Sequence, residues 1–94
     1  NYSIYSAAKA GLEAITKGLA RELAPEIKVN AIAPGAMLEP PDVTWTEEQK
    51  NKVIDTIPLK RMGSEKDIAE TVKFLADSEY ITGQIIKVDG GRSL

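Results

Sequence analysis

Tyr5 and Lys9 stand four residues apart in the run Tyr5-Ser6-Ala7-Ala8-Lys9. On a helix, positions i and i+4 lie one above the other on the same face, so the phenol and the ammonium reach one pocket. A phenol with an ordinary pKa of about 10 is a poor proton donor or base at neutral pH. A cation beside it favours the phenolate and lowers that pKa, which is what acid–base work on a carbonyl or an imine needs. The spacing alone is common in helices, where a packed tyrosine and a solvated lysine satisfy it equally well. The rest of the chain has to decide between the two readings.

Composition removes several alternatives. The chain has no histidine and no cysteine. Its 94 residues therefore lack the commonest metal ligand and catalytic base, any disulfide framework and any thiolate metal site, and no metal is expected. Net charge is -2 with lysine and arginine scattered, which offers no nucleic-acid footprint. No apolar run approaches the roughly 20 residues of a membrane helix, and the start lacks a signal-peptide layout. With 43% hydrophobic and 28% charged residues, the balance is that of a soluble globular protein of one small domain. A cytoplasmic location is the expectation. The chain opens on Asn rather than Met with a helical pattern already under way, the layout expected of a piece of a longer chain.

The elements that must position Tyr5 and Lys9 can be read in order. Ala8, Leu12, Ile15, Leu19 and Leu23 recur at helical steps and predict a helix from Ser3 to about Leu23. Ala24-Pro25 ends it, because a residue before proline is pushed out of the helical region. Gly11 and Gly18 inside it are either tolerated or mark close contacts. Ile27 to Ala33 alternates as a short strand stopped by Pro34-Gly35. A long helix feeding such a strand suggests a βαβ unit and a parallel sheet, whose carboxyl ends bind ligands. Gly35 lacks a Cβ, so a flat ring can lie against its backbone. Residues 36–62 are irregular, with Thr46-Glu47-Glu48-Gln49 opening a short capped helix to about Thr56. A connection this long is usually functional, often a lid, or else a surface loop; Trp45 within it reads as a lid anchor or as packing. Ser64 caps a second amphipathic helix to about Asp77, Gln84 to Val88 is a strand, and Asp89-Gly90-Gly91 breaks it. The order fits an α/β fold, the C-terminal half of a doubly wound parallel-sheet domain of the Rossmann type.

These segments resemble the short-chain dehydrogenases/reductases across nearly the whole chain. Tyr5-Ser6-Ala7-Ala8-Lys9-Ala10 is similar to that family's Y-x-x-x-K helix, and Asn30-Ala31-Ile32-Ala33-Pro34-Gly35 to its N-x-x-x-P-G strand end. Pro58-Leu59-Lys60-Arg61-Met62-Gly63 with Asp67-Ile68-Ala69, Ile81-Thr82-Gly83-Gln84, and Val88-Asp89-Gly90-Gly91 match the family's later segments in order. The resemblance implies that Tyr5 donates a proton to the reduced atom. Lys9 lowers the Tyr5 pKa and bonds the nicotinamide ribose hydroxyls. Pro34, Gly35, Ala36 and Met37 line the nicotinamide end of NADPH or NADH, and Asn30 plays a structural part. It also implies a homo-oligomer, dimer or tetramer, built through the small-residue helix.

Within the family the chain looks most like bacterial pteridine reductases of the dihydropteridine and dihydromonapterin type. Glu39 stands where most members carry a threonine, within Gly35-Ala36-Met37-Leu38-Glu39-Pro40, and the end reads Asp89-Gly90-Gly91-Arg92-Ser93-Leu94. The implied reaction is reduction of a pterin C=N by NADPH, with Leu38, Trp45 and Arg92 as candidate substrate contacts. The alternatives are a 3-oxoacyl-carrier-protein or other carbonyl reductase, and a non-catalytic remnant. The family's Gly-rich phosphate turn, T-G-x-x-x-G-x-G, does not occur within these 94 residues. Residues 1–94 are therefore expected to form a partial NAD(P)-binding domain, without its dinucleotide-binding N-terminal half, and to be inactive alone.

Overall fold

The computed structural model describes residues 2–35 and 44–94, with the backbone alone at Tyr2 and Tyr5. Its elements run α1 (Tyr2–Leu23), β1 (Ala31–Pro34), α2 (Glu47–Asp55), α3 (Glu65–Asp77) and β2 (Ile85–Val88). β1 and β2 pair in parallel, Ala31 opposite Ile85 and Pro34 opposite Val88. The expected parallel α/β arrangement is what forms, and α1 stops at Leu23, immediately before Ala24-Pro25.

β1 is shorter than the alternation from Ile27 predicts. Over Val29 and Asn30 side chains join the backbone in tying the two segments. The Val29 N–H donates to Thr82 Oγ1 at 3.0 Å, and Val29 O accepts from the Gly83 N–H at 2.7 Å. Asn30 Nδ2 donates to Ile81 O at 3.1 Å while its Oδ1 accepts from the Gln84 N–H at 3.0 Å. The Asn30 amide thus bridges the two segments between the backbone bonds Gly83 N–H to Val29 O and Ala31 N–H to Gln84 O, where the regular strand begins. The structural part expected of Asn30 is what its hydrogen bonds describe. At the other end, Gly35 N–H donates to Val88 O and carries the pairing one residue past Pro34. Alternation puts the nitrogens of Ile32 and Pro34 on the outer edge of β1, where proline has no donor to lose.

Burial on α1 departs from its apolar stripe. The buried positions are Thr16 and Ala20, each 4% exposed, whereas Leu12 and Ile15 are more than half exposed. Ala20 is small enough for the Ile81–Gly83 turn to come close; a Cβ on Gly83 would lie 3.4 Å from its own. Thr16 answers its buried hydroxyl within the helix by donating to Leu12 O at 2.8 Å. Gly11 and Gly18 face open space among the described residues, so no close contact there explains them.

The two short helices start as their sequences predict. Thr46 Oγ1 accepts from the Gln49 N–H at 3.1 Å and Gln49 Oε1 accepts from the Thr46 N–H at 2.9 Å, a reciprocal cap. Ahead of α3, Ser64 N–H and Oγ donate to Asp67 Oδ2 at 2.8 and 3.1 Å. Among the described residues Ile57, 1% exposed, is the most deeply buried large side chain, followed by Leu75 on α3. The sequence signalled Leu75 through the amphipathic pattern of its helix. Ile57 lies beyond α2 in the stretch read as irregular, and its burial comes from contacts far along the chain.

Candidate active site

α1 carries Tyr5 and Lys9 one turn apart, and β1 ends at Pro34 and Gly35. Lys9 and Pro34 line the same groove, about 280 Å³, with Leu12, Glu13, Ala33 and Ile85. Lys9 of the helix and Pro34 of the strand end therefore share one groove. Glu13 was not anticipated; it is half-buried and extends the 5, 9, 13 stripe by one more step of four. That spacing was the available signal for it.

Gly35 has a packing reason of its own to lack a Cβ. A Cβ added there would fall 2.5 Å from Asp89 Cβ and 2.7 Å from Asp89 Cα. The space is taken by the end of β2, so the packing of the two strand ends demands glycine whatever lies on the opposite side. Asp89 in turn is held by its own turn. Its Oδ1 accepts from the Gly91 N–H at 2.9 Å and its Oδ2 from the Ser93 N–H at 3.3 Å. Hydrogen bonds from Ser93, then from the Gly91 backbone, hold the Asp89 carboxyl below its ordinary pKa.

Two of the candidate substrate contacts, Trp45 and Arg92, fall within the described residues. Trp45 is half-buried just before the Thr46 cap, and Arg92 is exposed in the final turn. Neither lines the groove beside Lys9. Ala36, Met37, Leu38 and Glu39 lie outside the described residues, as does the Tyr5 side chain.

A second groove of about 740 Å³ runs between Pro58–Leu59, α3 and β2, with Arg61, Asp67 and Phe74 in its wall. Size alone would favour it. Two of its charged groups, however, are spent on each other: Arg61 Nη1 and Nη2 reach Asp67 Oδ2 and Oδ1 at 3.0 and 3.2 Å. Such a bidentate pair is a structural tie. The smaller groove holds the lysine expected to activate Tyr5, and it is the better candidate site.

A family model described as Enoyl-(Acyl carrier protein) reductase matches residues 1–93. The chain is 46% identical over 99 residues to a glucose 1-dehydrogenase of Gluconobacter oxydans, covering 100% of this chain and 37% of that protein. It is 48% identical over 90 residues to a 3-oxoacyl-(acyl-carrier-protein) reductase of Staphylococcus epidermidis, covering 93% and 37%. With carbonyl reductase family member 4 of Danio rerio the identity is 46% over 92 residues, covering 97% and 38%. Among solved structures, a short-chain dehydrogenase/reductase from Brucella melitensis superposes with a TM-score of 0.84 at 33% identity, covering 96% of this chain and 38% of that one. A small-chain dehydrogenase in complex with NADPH gives 0.84 at 36% identity, covering 98% and 43%. The chain spans somewhat over a third of the length of the curated relatives it matches.

Proposed function

The chain belongs to the short-chain dehydrogenase/reductase family, and on that premise we propose that the protein carrying it moves a hydride from a nicotinamide cofactor, NADPH or NADH, to a small-molecule substrate. The observation that carries the reading is the meeting of Lys9, one turn beyond Tyr5, with Pro34 at the carboxyl end of β1. The groove suits the nicotinamide-ribose end of such a cofactor, because it sets an ammonium donor beside a short, small-residue strand end. Support also comes from the relative solved with NADPH.

The bound cofactor supplies the hydride. The chain's own residues handle the proton and the orientation. Lys9 favours the Tyr5 phenolate, lowers the cost of giving up the phenolic proton and bonds the ribose hydroxyls. Tyr5 donates that proton to the atom that becomes negative as hydride arrives, and is reprotonated from solvent. Pro34, Gly35, Ala36 and Met37 line the nicotinamide end. In this reading residues 1–94 are part of an NAD(P)-binding domain, and the phosphate-binding turn belongs to the remainder of the length its relatives have. The working enzyme is a cytoplasmic homo-oligomer, a dimer or tetramer.

For the substrate, the first reading is a pterin C=N, with Leu38, Trp45 and Arg92 as contacts. It rests on the run from Pro34 to Pro40, with Glu39 in place of threonine, and on the Arg92-Ser93-Leu94 ending. A second reading, a carbonyl of the 3-oxoacyl thioester kind, is favoured by the names of two relatives. NADPH oxidation by the whole protein with dihydrobiopterin against an acetoacetyl thioester separates them. Turnover of the pterin alone is expected. Preference for the thioester replaces the first reading with the second, and oxidation with neither removes both.

A further inference from the structure

We propose that the Asp89–Gly91 turn is a positioning element for the site, holding Gly35 and the Ile57–Leu59 segment in one relation to the carboxyl end of the sheet. The inference rests on the hydride-transfer reading above and adds residues which that reading leaves without a part.

Two stretches far apart in the chain stand on this turn. On one side, the Gly35 N–H donates to Val88 O at 2.9 Å, and the space beside the Gly35 Cα is filled by Asp89. On the other, the Leu59 N–H donates to Gly90 O at 3.1 Å. Gly90 and Gly91 have φ of 63° and 90°, a region that favours glycine. A Cβ on Gly90 would come within 2.7 Å of Ile57 Cγ2, and one on Gly91 within 3.1 Å of Pro58 Cγ. The turn therefore has to be left-handed and bare for Ile57 to be buried against it. Asp89 keeps that shape through its bonds to the Gly91 and Ser93 amides. Where Gly35 sits is thus decided by the same few residues that seat the end of the α2 segment.

The test compares Gly90→Ala and Asp89→Asn with Lys28→Met in the whole protein. Lys28 lies at the far end of α3, where it caps helix carbonyls, and serves as a control for destabilisation remote from the turn. Asp89→Asn keeps the volume but turns an amide donor toward a backbone N–H, so it remains informative should Gly90→Ala fail to fold. Amide hydrogen exchange at Gly35 and Leu59 is read together with kcat and the KM for NADPH. Both turn variants are expected to speed exchange at both amides. They should lower kcat/KM about ten- to a hundredfold, as a misplacement of about an ångström does. Lys28→Met should lower stability and leave the kinetic constants and these two amides unchanged. Faster exchange at Leu59 with Gly35 unmoved overturns the proposal. So does coupled exchange with kinetic constants equal to those of the parent. A parent protein that oxidises no NADPH instead condemns the hydride-transfer reading; the exchange coupling still decides whether the turn holds both stretches.

Discussion

At the scale of single residues, the proposed chemistry asks most of Tyr5 and Lys9. Their helical spacing was legible in the sequence, because a period of 3.6 fixes which residues share a face. In the whole protein Tyr5→Phe removes the transferable proton while keeping the ring. Turnover is expected to fall by about two to four orders of magnitude, with cofactor affinity measured by fluorescence titration nearly unchanged. Full turnover in this variant would remove Tyr5 from the mechanism. Lys9→Ala should weaken both rate and cofactor binding, since the ammonium serves the phenol and the ribose alike; a variant unchanged in both would refute the shared-face argument. Gly35 was legible as a glycine that matters and illegible in its cause. No local pattern says that Asp89 will fill the space beside it.

At the scale of elements, two ties set how firmly the pieces hold. Arg61 grips Asp67 with both guanidinium nitrogens, and the Ser64 N–H adds a third bond. Together these hold the Asp67 carboxyl well below the usual carboxylate range, the Arg61 bonds contributing most. A depressed folded-state pKa stabilises the fold above the unfolded value of about 3.9, and that contribution is lost as pH falls below it. Asp67→Asn is therefore expected to lower stability at pH 7 and to flatten the loss between about pH 4 and pH 2, as followed by urea melts. An acid slope equal to the parent's would show that the pair is not the titrating tie. The second tie is Lys28, whose Nζ donates to the carbonyls of Leu75, Ala76 and Ser78. A cation at the carboxyl end of a helix complements its dipole, and Lys28→Met should cost about 0.5–1 kcal/mol at low salt and less at high salt. A cost independent of salt would point to packing by the lysine stem. The caps at Thr46 and Ser64 were readable because capping is local; the grip of Lys28 on α3 joins stretches that only the fold brings together.

At the scale of the whole molecule, the described apolar surface exceeds what these residues cover. Among the described residues three apolar side chains are buried, Ala20, Ile57 and Leu75, while Leu12, Ile15, Phe74 and Val72 are each more than half exposed. The radius of gyration is 15.6 Å, against about 12 Å for a compact domain of this length. So small a core offsets little of the conformational entropy lost on folding. Produced by itself, the 94-residue chain is expected to bind a hydrophobic dye and to unfold over a broad denaturant range. A sharp transition without dye binding would mean that the chain covers its own faces in solution. Amphipathic periodicity told which residues of α1 are apolar, and it could not tell which neighbour covers them. Within this chain the turn at Gly83 approaches Ala20, and the leucine stripe faces away.

The sequence by itself determined the order of the elements, the helix starts, the end of α1 before Pro25 and the alignment of Tyr5 with Lys9. All of these follow from interactions within a few residues: backbone sterics, side-chain caps and helical period. The tertiary structure alone decided where β1 begins, why Gly35 and Gly90 must be glycine, and that Ile57 is buried more deeply than any described stripe residue of α1. Each of those depends on a partner distant in the chain, Asn30 on Gln84, Gly35 on Asp89, Ile57 on Gly90, and contacts of that kind exist only once the parallel strands have met.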